Sequence, residues 1–308
     1  MLEPIAPSGS QFEIACGEQR LTVVEVGGGL REYAALDRSF LDGYGIHEIC
    51  SGARGQLLLP WPNRIQDGQY TLGADTFQLD LTEPGRHNAI HGLTRWASWR
   101  ATEQANDRVA LEHVLYPKPG YPFTLALRVE YTLGARGLEV RTVARNCGNR
   151  SAPFGVGAHP YVTVGSPRID ADLLRIPAER YLATDARGLP TGDRPMEGSP
   201  YDFRRMRPIG ETAIDCAFAG LERGPDGRAR VELRAPDARV GLALWVDESF
   251  PYLQVFTGDH LADPSRRRRA LAVEPMSCAP NAFRSREGLV MLEPGQTWSG
   301  SWGIDPFA

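Results

Sequence analysis

Alternation of apolar and polar residues with a period of two is the feature of this sequence that most restricts its fold. In segment 138–146 (LEVRTVARN), apolar or small residues occupy every second position, and charged residues fill most of the positions between them. This alternation is typical of a half-buried antiparallel strand. Segment 129–133 precedes it across the glycine-bounded segment 134–137, which predicts a β-hairpin.

Further strand patterns occur from one end of the sequence to the other. Pro, Gly, Asp and Ser clusters separate them, and Gly (33 residues) and Pro (24) are frequent among the 308 residues. No segment sustains a helical period for more than about two turns, and no βαβ alternation is visible. The sequence therefore predicts an all-β protein, a single domain over residues 1–308 built as a large antiparallel β-sandwich with few short helices. The other predicted strands are 20–26, 231–235, 240–246, 253–257, 271–274 and 297–304.

Charge and cysteine content exclude several classes of function. The net charge is −4 with neutral histidines, so the chain offers no basic surface for nucleic acid or for an anionic membrane. Five widely spaced cysteines without a C-x-x-C pair disfavour both a disulfide framework and a zinc ribbon. The first 14 residues do not resemble a signal peptide, and no apolar stretch approaches the length of a membrane span. We expect a cytoplasmic protein.

A run of four arginines, Arg266 to Arg269, is the one strongly basic feature. Such a run is most often a solvated loop between two strands. The alternative is an element that binds a phosphorylated or sulfonated ligand, because guanidinium groups match the geometry of these anions.

Two polar residues stand in segments that are unusual for ordinary turns. Arg64 follows Pro-Trp-Pro-Asn, a stiff aromatic setting in which its guanidinium either ties down the loop or donates to a ligand. His91 ends the segment HNAIH, whose spacing resembles the zinc motif H-E-x-x-H. Asn88 replaces the catalytic glutamate of that motif, and nearby Gly and Pro disfavour the helix it requires. A hydrogen-bonding loop histidine is therefore favoured over a metal ligand.

Three further groups are candidates for acid–base chemistry. His159 lies before a proline and after small residues, where it is either a buried structural histidine or a reactive one. Glu274 ends an apolar strand pattern before Pro275, and apolar surroundings there would raise its pKa toward neutrality. Asp215 interrupts an apolar run, and carboxylates are seldom buried unless they are paired or functional. Together with Arg64 and His91, these groups fit general acid–base chemistry on a polyhydroxylated ligand.

The order NR…NAIHGL…AHPY…IDCAF…EP…PNAF resembles the aldose 1-epimerase (galactose mutarotase) family. The resemblance extends from about residue 21 to residue 303. It implies a β-sandwich of the galactose mutarotase-like supersandwich type, with the site in a groove across one sheet. It also implies an isomerase that interconverts the α and β anomers of a free aldohexose without a cofactor or a metal.

The resemblance implies a role for each candidate residue. Glu274 would be the base that takes the proton of the C1 hydroxyl, and His159 would be the acid that protonates the ring oxygen. Arg64 and His91 would bind sugar oxygens, and Asp215 would hold ring hydroxyls. The ring would open to the aldehyde, the C1–C2 bond would rotate, and reclosure would give the other anomer.

Other functions stay open beside this one. Leu93 stands where galactose-type members often have a second glycine, and the residues after Glu274 (PMSCAPNAF) also differ, so the substrate is uncertain. An anionic hexose, a 6-phosphate or a sulfosugar, would need an arginine near C6, and the candidates are Arg31, Arg64, Arg95 or the run 266–269. A non-catalytic carbohydrate-binding protein and a glycoside lyase or hydrolase are further alternatives. We expect a monosaccharide as the small-molecule partner and a monomer or homodimer.

Overall fold

The computed structural model describes residues 5–308. Residues 1–4, the start of the stretch in which we expect no signal peptide, lie outside the described residues. The described chain contains 27 strands. The first thirteen are β1 (Gln11–Cys16), β2 (Gln19–Val24), β3 (Leu30–Ala35), β4 (Arg38–Ser39), β5 (Leu57–Leu58), β6 (Arg64–Gln66), β7 (Gln69–Leu72), β8 (Asp75–Gln78), β9 (Asn88–Ile90), β10 (Arg100–Gln104), β11 (Arg108–Leu115), β12 (Leu125–Gly134) and β13 (Gly137–Asn146). The others are β14 (Ala152–Phe154), β15 (Gly157–Ala158), β16 (Tyr161–Val162), β17 (Leu173–Arg175), β18 (Ala178–Thr184), β19 (Pro190–Pro195), β20 (Arg207–Pro208), β21 (Asp215–Leu221), β22 (Ala229–Arg234), β23 (Gly241–Val246), β24 (Tyr252–Phe256), β25 (Leu271–Met276), β26 (Val290–Leu292) and β27 (Thr297–Phe307).

Helical structure in residues 5–308 is limited to single turns. They are α1 (Ala282–Ser285) and the 3₁₀ turns Pro84–Arg86, Ile169–Ala171 and Pro264–Arg266. None of these helices is long and apolar enough to cross a bilayer. The all-β prediction with few short helices is therefore confirmed.

Two large antiparallel sheets contain most of the strands. A nine-stranded sheet has the order β10-β11-β12-β13-β27-β23-β22-β17-β20. An eight-stranded sheet has the path β19-β18-β21-β24-β25-β15-β5, with β16 also paired to β25. Smaller sheets include the four-stranded β1-β2-β3-β4.

The predicted hairpin is present as β12 and β13. Its strands pair in register from Leu125↔Asn146 to Gly134↔Gly137, and burial alternates along both of them. Alternate side chains therefore enter the core while their neighbours face outward, as the period-two pattern predicts. A single large cluster of buried apolar side chains includes residues from both large sheets, among them Val129, Val140, Leu253 and Val273.

The eight-stranded sheet brings three of the candidate site residues together. Glu274 lies on β25, Asp215 begins β21, and His159 directly follows β15. Strand β24 pairs with both β21 and β25, so these chain segments are close neighbours although they are far apart in sequence. Non-local pairing of this kind determines the position of the site.

The arginine run is not simply a solvated loop. Arg268 is buried and ion-paired to Asp170 and Asp259, at 2.7 and 2.9 Å. Arg266 pairs with Glu48 at 2.9 Å, and Arg269 pairs with Asp42 at 2.5 Å. Arg267 Nε donates to the carbonyl oxygen of Leu261. The run thus lies in the loop between β24 and β25, as predicted, with Arg267 and Arg269 exposed and Arg268 buried, and its contacts fasten this loop to neighbouring segments.

Asp172, which follows the Ile169–Ala171 turn, has a fully buried carboxyl group. One oxygen accepts a 2.5 Å hydrogen bond from Ser166, and the other has no partner within residues 5–308. Burial raises the pKa of this carboxyl to about 6, the Ser166 hydrogen bond opposing the shift. The native state therefore holds a proton that the unfolded chain releases at lower pH, and stability is lost as the pH rises through the folded pKa.

We expect Asp172→Asn to remove this pH dependence, because the amide cannot ionise. From about pH 4.5 to pH 7.5, the free energy of unfolding of the variant should rise by about 2 kcal/mol relative to that of the wild type, since one pKa unit corresponds to about 1.4 kcal/mol. Urea unfolding of both proteins at the two pH values measures the difference. An equal stability difference at both values would contradict the assignment of a proton to Asp172.

Candidate active site

A cavity of about 520 Å³ lies beside the eight-stranded sheet and is lined by all five candidate residues from the sequence. Its volume is within the usual range for small-molecule pockets. The structure thus brings together Arg64, His91, His159, Asp215 and Glu274, which span more than two hundred residues of sequence.

Glu274 lies inside β25. The sequence pattern had placed it at the end of the strand, and that prediction was wrong. The strand continues through Pro275 to Met276, and Pro275 lies opposite Leu253 of β24. The glutamate is 2% exposed and all six residues of β25 are buried. The carboxyl group therefore projects from a rigid, desolvated strand.

His159 contacts Glu274 directly. Its Nε2 lies 3.2 Å from Oε1 of Glu274, and both side chains are almost fully buried. The backbone around His159 is fixed by two hydrogen bonds, from its amide to the Gln56 carbonyl and from the Gly55 amide to its own carbonyl. These backbone contacts fix the segment that carries His159, so the two side chains lie at a distance suited to proton transfer.

His91 completes a group of three with this pair. Its ring meets that of His159 edge to face, with centroids 5.4 Å apart. The residue has a left-handed backbone (φ 62°), and its amide donates to the Asn63 carbonyl at 2.9 Å. Strand β9, not a helix, connects it to His87, which is exposed and bonded to Asp67. The two histidines of HNAIH therefore have separate environments.

Arg64 begins β6 and is held by a fork-like ion pair with Glu83. Its Nε and one terminal nitrogen donate to the two carboxylate oxygens at 2.8 and 2.9 Å. The side-chain oxygen of Asn281 accepts a hydrogen bond from the backbone amide of Gln66, and the backbone amide of Asn281 donates to the carbonyl oxygen of Arg64. This contact gives the PNAF segment a structural role, because it fixes the strand that carries Arg64. A planar fork fixed in this way presents its remaining N–H groups in one orientation.

Asp215 is oriented by Gln254. The Gln254 amide donates to Asp215 Oδ1 at 2.8 Å, and Gln254 lies directly opposite Glu274 in the β24–β25 ladder. Asp215 lies opposite Phe256, which is two residues after Gln254 on β24. Residues two apart on a strand and the residues directly opposite them point to the same side, so Asp215, Gln254 and Glu274 share one face of the sheet. The face presents two carboxyl groups with an amide that bonds to one of them.

Burial dominates the proton affinities in this group. It raises the pKa of Glu274 well above its usual value, and Asp215 adds to the rise while Arg64 opposes it. Burial also lowers the pKa of His159, with Arg95 and Arg54 acting in the same direction. Both shifts disfavour the charged form, as expected for groups taken out of water.

His91, His159 and Glu274 also form a group with the spacing of metal ligands. Their candidate ligand atoms lie within 4.8 Å of one another, and within residues 5–308 no other group of this kind is found. Two imidazoles and a carboxylate are ligands that Zn²⁺ accepts. The same arrangement suits metal-free proton transfer, and that no metal is required stays a prediction from the resemblance.

Sequence reasoning missed two residues that hold the candidate site. Glu83 fixes Arg64, and Gln254 fixes Asp215. Glu83 stands directly before the turn Pro84–Arg86, where an acidic residue resembles an ordinary turn residue in the sequence. Gln254 interrupts an otherwise apolar strand, a signal of the same kind as the one that singled out Asp215.

Comparison with known proteins identifies the family. Residues 11–304 match the aldose 1-epimerase family model. The chain is 34% identical over 290 residues to the uncharacterized protein YihR of Escherichia coli K12, covering 94% of this chain and 91% of that protein. It is 28% identical over 211 residues to the galactose mutarotase of Mus musculus, covering 65% of this chain and 60% of that one.

Solved structures share the fold. A GalM/aldose epimerase homologue from C. elegans superposes with a TM-score of 0.84 at 16% identity, covering 96% of this chain and 98% of that one. The predicted galactose mutarotase-like architecture is therefore confirmed. With the family match over nearly the whole chain, the conclusion is direct: this chain belongs to the aldose 1-epimerase family, whose members are isomerases.

Proposed function

We propose that this protein interconverts the α and β anomers of a free aldohexose by acid–base ring opening and reclosure. The observation that carries the proposal is the 3.2 Å contact between His159 Nε2 and Glu274 Oε1 inside a cavity of suitable size. Ring opening removes one proton from the C1 hydroxyl and adds one to the ring oxygen. A base and an acid held side by side supply both transfers.

One proton shared by the pair is sufficient for a full cycle. Glu274 as carboxylate takes the C1 hydroxyl proton while protonated His159 gives its proton to the ring oxygen, which breaks the bond between C1 and that oxygen. The resulting aldehyde rotates about C1–C2. Reclosure reverses both transfers on the other face, which regenerates the carboxylate and the imidazolium.

Burial acts on this step in two opposite directions: it lowers the fraction of the pair that is charged at the start, and it makes the charged pair more reactive. A raised pKa makes the Glu274 carboxylate a stronger base, and a lowered pKa makes the His159 imidazolium a stronger acid. Ring opening converts the ion pair into two neutral groups, which is the form that a desolvated site favours. The fixed Arg64 and Asp215 are suited to bind sugar hydroxyls through the N–H groups of Arg64 that Glu83 does not use and through the Asp215 carboxylate.

Exchange NMR between the α and β anomers of glucose, galactose and 6-substituted hexoses tests the proposal. We expect catalytic acceleration for at least one of these sugars. No acceleration for any sugar would overturn it. Saturable binding by calorimetry without exchange would identify a carbohydrate-binding protein, and new reducing ends from a polysaccharide would identify a hydrolase or lyase.

An anionic hexose is a second candidate substrate, and Arg95 is the observation that favours it. Arg95 lines the cavity, and within residues 5–308 its guanidinium makes no hydrogen bond or ion pair with a protein group. Burial lowers its pKa, so its charge is partly desolvated. The other arginines lining the cavity already have carboxylate partners, namely Arg54, Arg64, Arg86 and Arg266. A phosphate or sulfonate at C6 would supply the missing partner.

Arg31, Arg64 and the run 266–269 are weaker candidates for this role. Arg31 pairs with Glu32 at 2.6 Å and does not line the cavity. Arg64 is engaged by Glu83, and the run is engaged by the contacts described above. Among the four candidates from the sequence, these contacts favour Arg95 as the partner of an anionic group at C6.

We expect Arg95→Met to lower kcat/KM for a hexose 6-phosphate or 6-sulfonate by about 10- to 100-fold, the range for losing a charged hydrogen-bonding partner. The value for a neutral hexose should change by less than about threefold. Anomer exchange rates for both sugars measure this. Arg150→Met, at an exposed ion pair with Asp75 outside the cavity, is the charge-matched control. An equal loss for both sugars would assign Arg95 a structural role.

A further inference from the structure

A guanidinium, a phenol ring and the imidazole of His159 are in contact at one side of the cavity. The Tyr161 ring stacks on the His159 ring, with centroids 5.0 Å apart and planes 16° from parallel. Arg54 lies over the Tyr161 ring, 4.3 Å from its centroid. We propose that Arg54 is a positioning residue, which fixes the plane of the His159 ring through Tyr161.

The segment from Ser51 to Arg54 holds both members of this stack. Arg54 donates to the Ser51 carbonyl at 3.1 Å, and the Tyr161 hydroxyl donates to the Gly52 carbonyl at 3.1 Å. A single short segment therefore sets the phenol ring and the guanidinium relative to each other. Because the phenol is anchored at its hydroxyl and covered on its face, the imidazole stacked on it has little freedom to rotate.

Asp42 fixes the charge of Arg54 in place. A terminal nitrogen of Arg54 donates to Asp42 Oδ2 at 3.1 Å, and each side chain is 3% exposed. Asp42 also pairs with Arg269 at 2.5 Å and lies 3.7 Å from Arg266. Asp42 therefore keeps two cationic partners if Arg54 is replaced, so the substitution does not leave a buried carboxylate unpaired.

The test uses NMR at fixed pH on the protein without sugar, together with the kinetics of anomer exchange. The stacked Tyr161 ring displaces the signals of the carbon-bound His159 ring protons, so we expect these signals to shift in Arg54→Met. Arg54→Lys retains the charge but not the planar group, so it should shift them as well. Both variants should lower kcat for anomer exchange about tenfold or more, with less change in KM.

Arg228→Met is the matched control. It removes a guanidinium that lies 3.6 Å from the centroid of the Trp245 ring, outside the cavity, and should change neither the His159 ring-proton signals nor kcat. Unchanged His159 ring-proton signals and an unchanged kcat in Arg54→Met would overturn the proposal. Should this variant fail to fold, a wild-type kcat in Arg54→Lys would do the same.

The effect on kcat rests on the proposed epimerase function, whereas the His159 ring-proton signals do not. Displaced signals in Arg54→Met, in a protein that accelerates no anomer exchange, would refute the epimerase and keep the positioning role. Anomer exchange by the wild type, with unchanged signals in the variant and no change in its kcat, would refute only the positioning role.

Discussion

Glu274→Gln should lower the rate of anomer exchange about 10³-fold while leaving sugar binding within a few-fold of the wild type. Positioned proton transfer contributes about 10²–10⁴-fold to rates, and an amide cannot take the proton of the C1 hydroxyl. Glutamine matches the shape of the buried side chain, which is 2% exposed, so the strand and the cavity should persist. Exchange NMR measures the rate, and calorimetry measures sugar binding by the same variant.

Glu287→Gln is the matched control for this experiment. Glu287 accepts a 3.0 Å hydrogen bond from Tyr252 and does not line the cavity, so its replacement should leave exchange unchanged. Residual activity above about a tenth of the wild-type rate in Glu274→Gln would show that another group is the base. Loss of both exchange and sugar binding would point instead to a disrupted cavity.

The fold could be predicted where strands have one buried and one exposed face. The hairpin of β12 and β13 was predicted from alternation because one side of each strand packs on the core. Strands β5 and β15 have two residues each, which is too short to show an alternation of apolar and polar residues. Strand β25 is buried throughout, so its pattern is a plain apolar run, and such a run does not show where a strand ends. For this reason the sequence pattern placed the end of the strand at Glu274, two residues before its actual end at Met276.

The candidate site could be predicted in its composition but not in its internal contacts. His159 and Glu274 stand in segments with local signals, a proline after each and apolar neighbours around them. Their 3.2 Å contact depends on the pairing of β15 with β25, which no local pattern specifies. The supports of the site, Glu83 and Arg54, act across the fold through ion pairs. Isolated charged residues of this kind are indistinguishable in sequence from ordinary surface charges.

His159→Asn should lower exchange about 10³-fold by itself, and the double variant Glu274→Gln/His159→Asn should be only slightly slower than either single variant. The two side chains are 3.2 Å apart and transfer protons in the same step. Ring opening needs both transfers, so a variant that lacks one of these groups gains little from the other. Independent contributions would multiply to about 10⁶-fold, whereas groups that act as a unit are strongly non-additive.

The comparison requires enzyme concentrations high enough that catalysed exchange exceeds the spontaneous exchange of the sugar. Glu274→Gln/Glu287→Gln provides the control double variant, and its loss should equal that of Glu274→Gln because Glu287 lies outside the cavity. Multiplicative losses in the His159 double variant would separate the two groups into different steps. A wild-type rate in His159→Asn would assign ring-oxygen protonation to another donor, and His91, whose ring meets that of His159 in the same cavity, would be the first residue to replace.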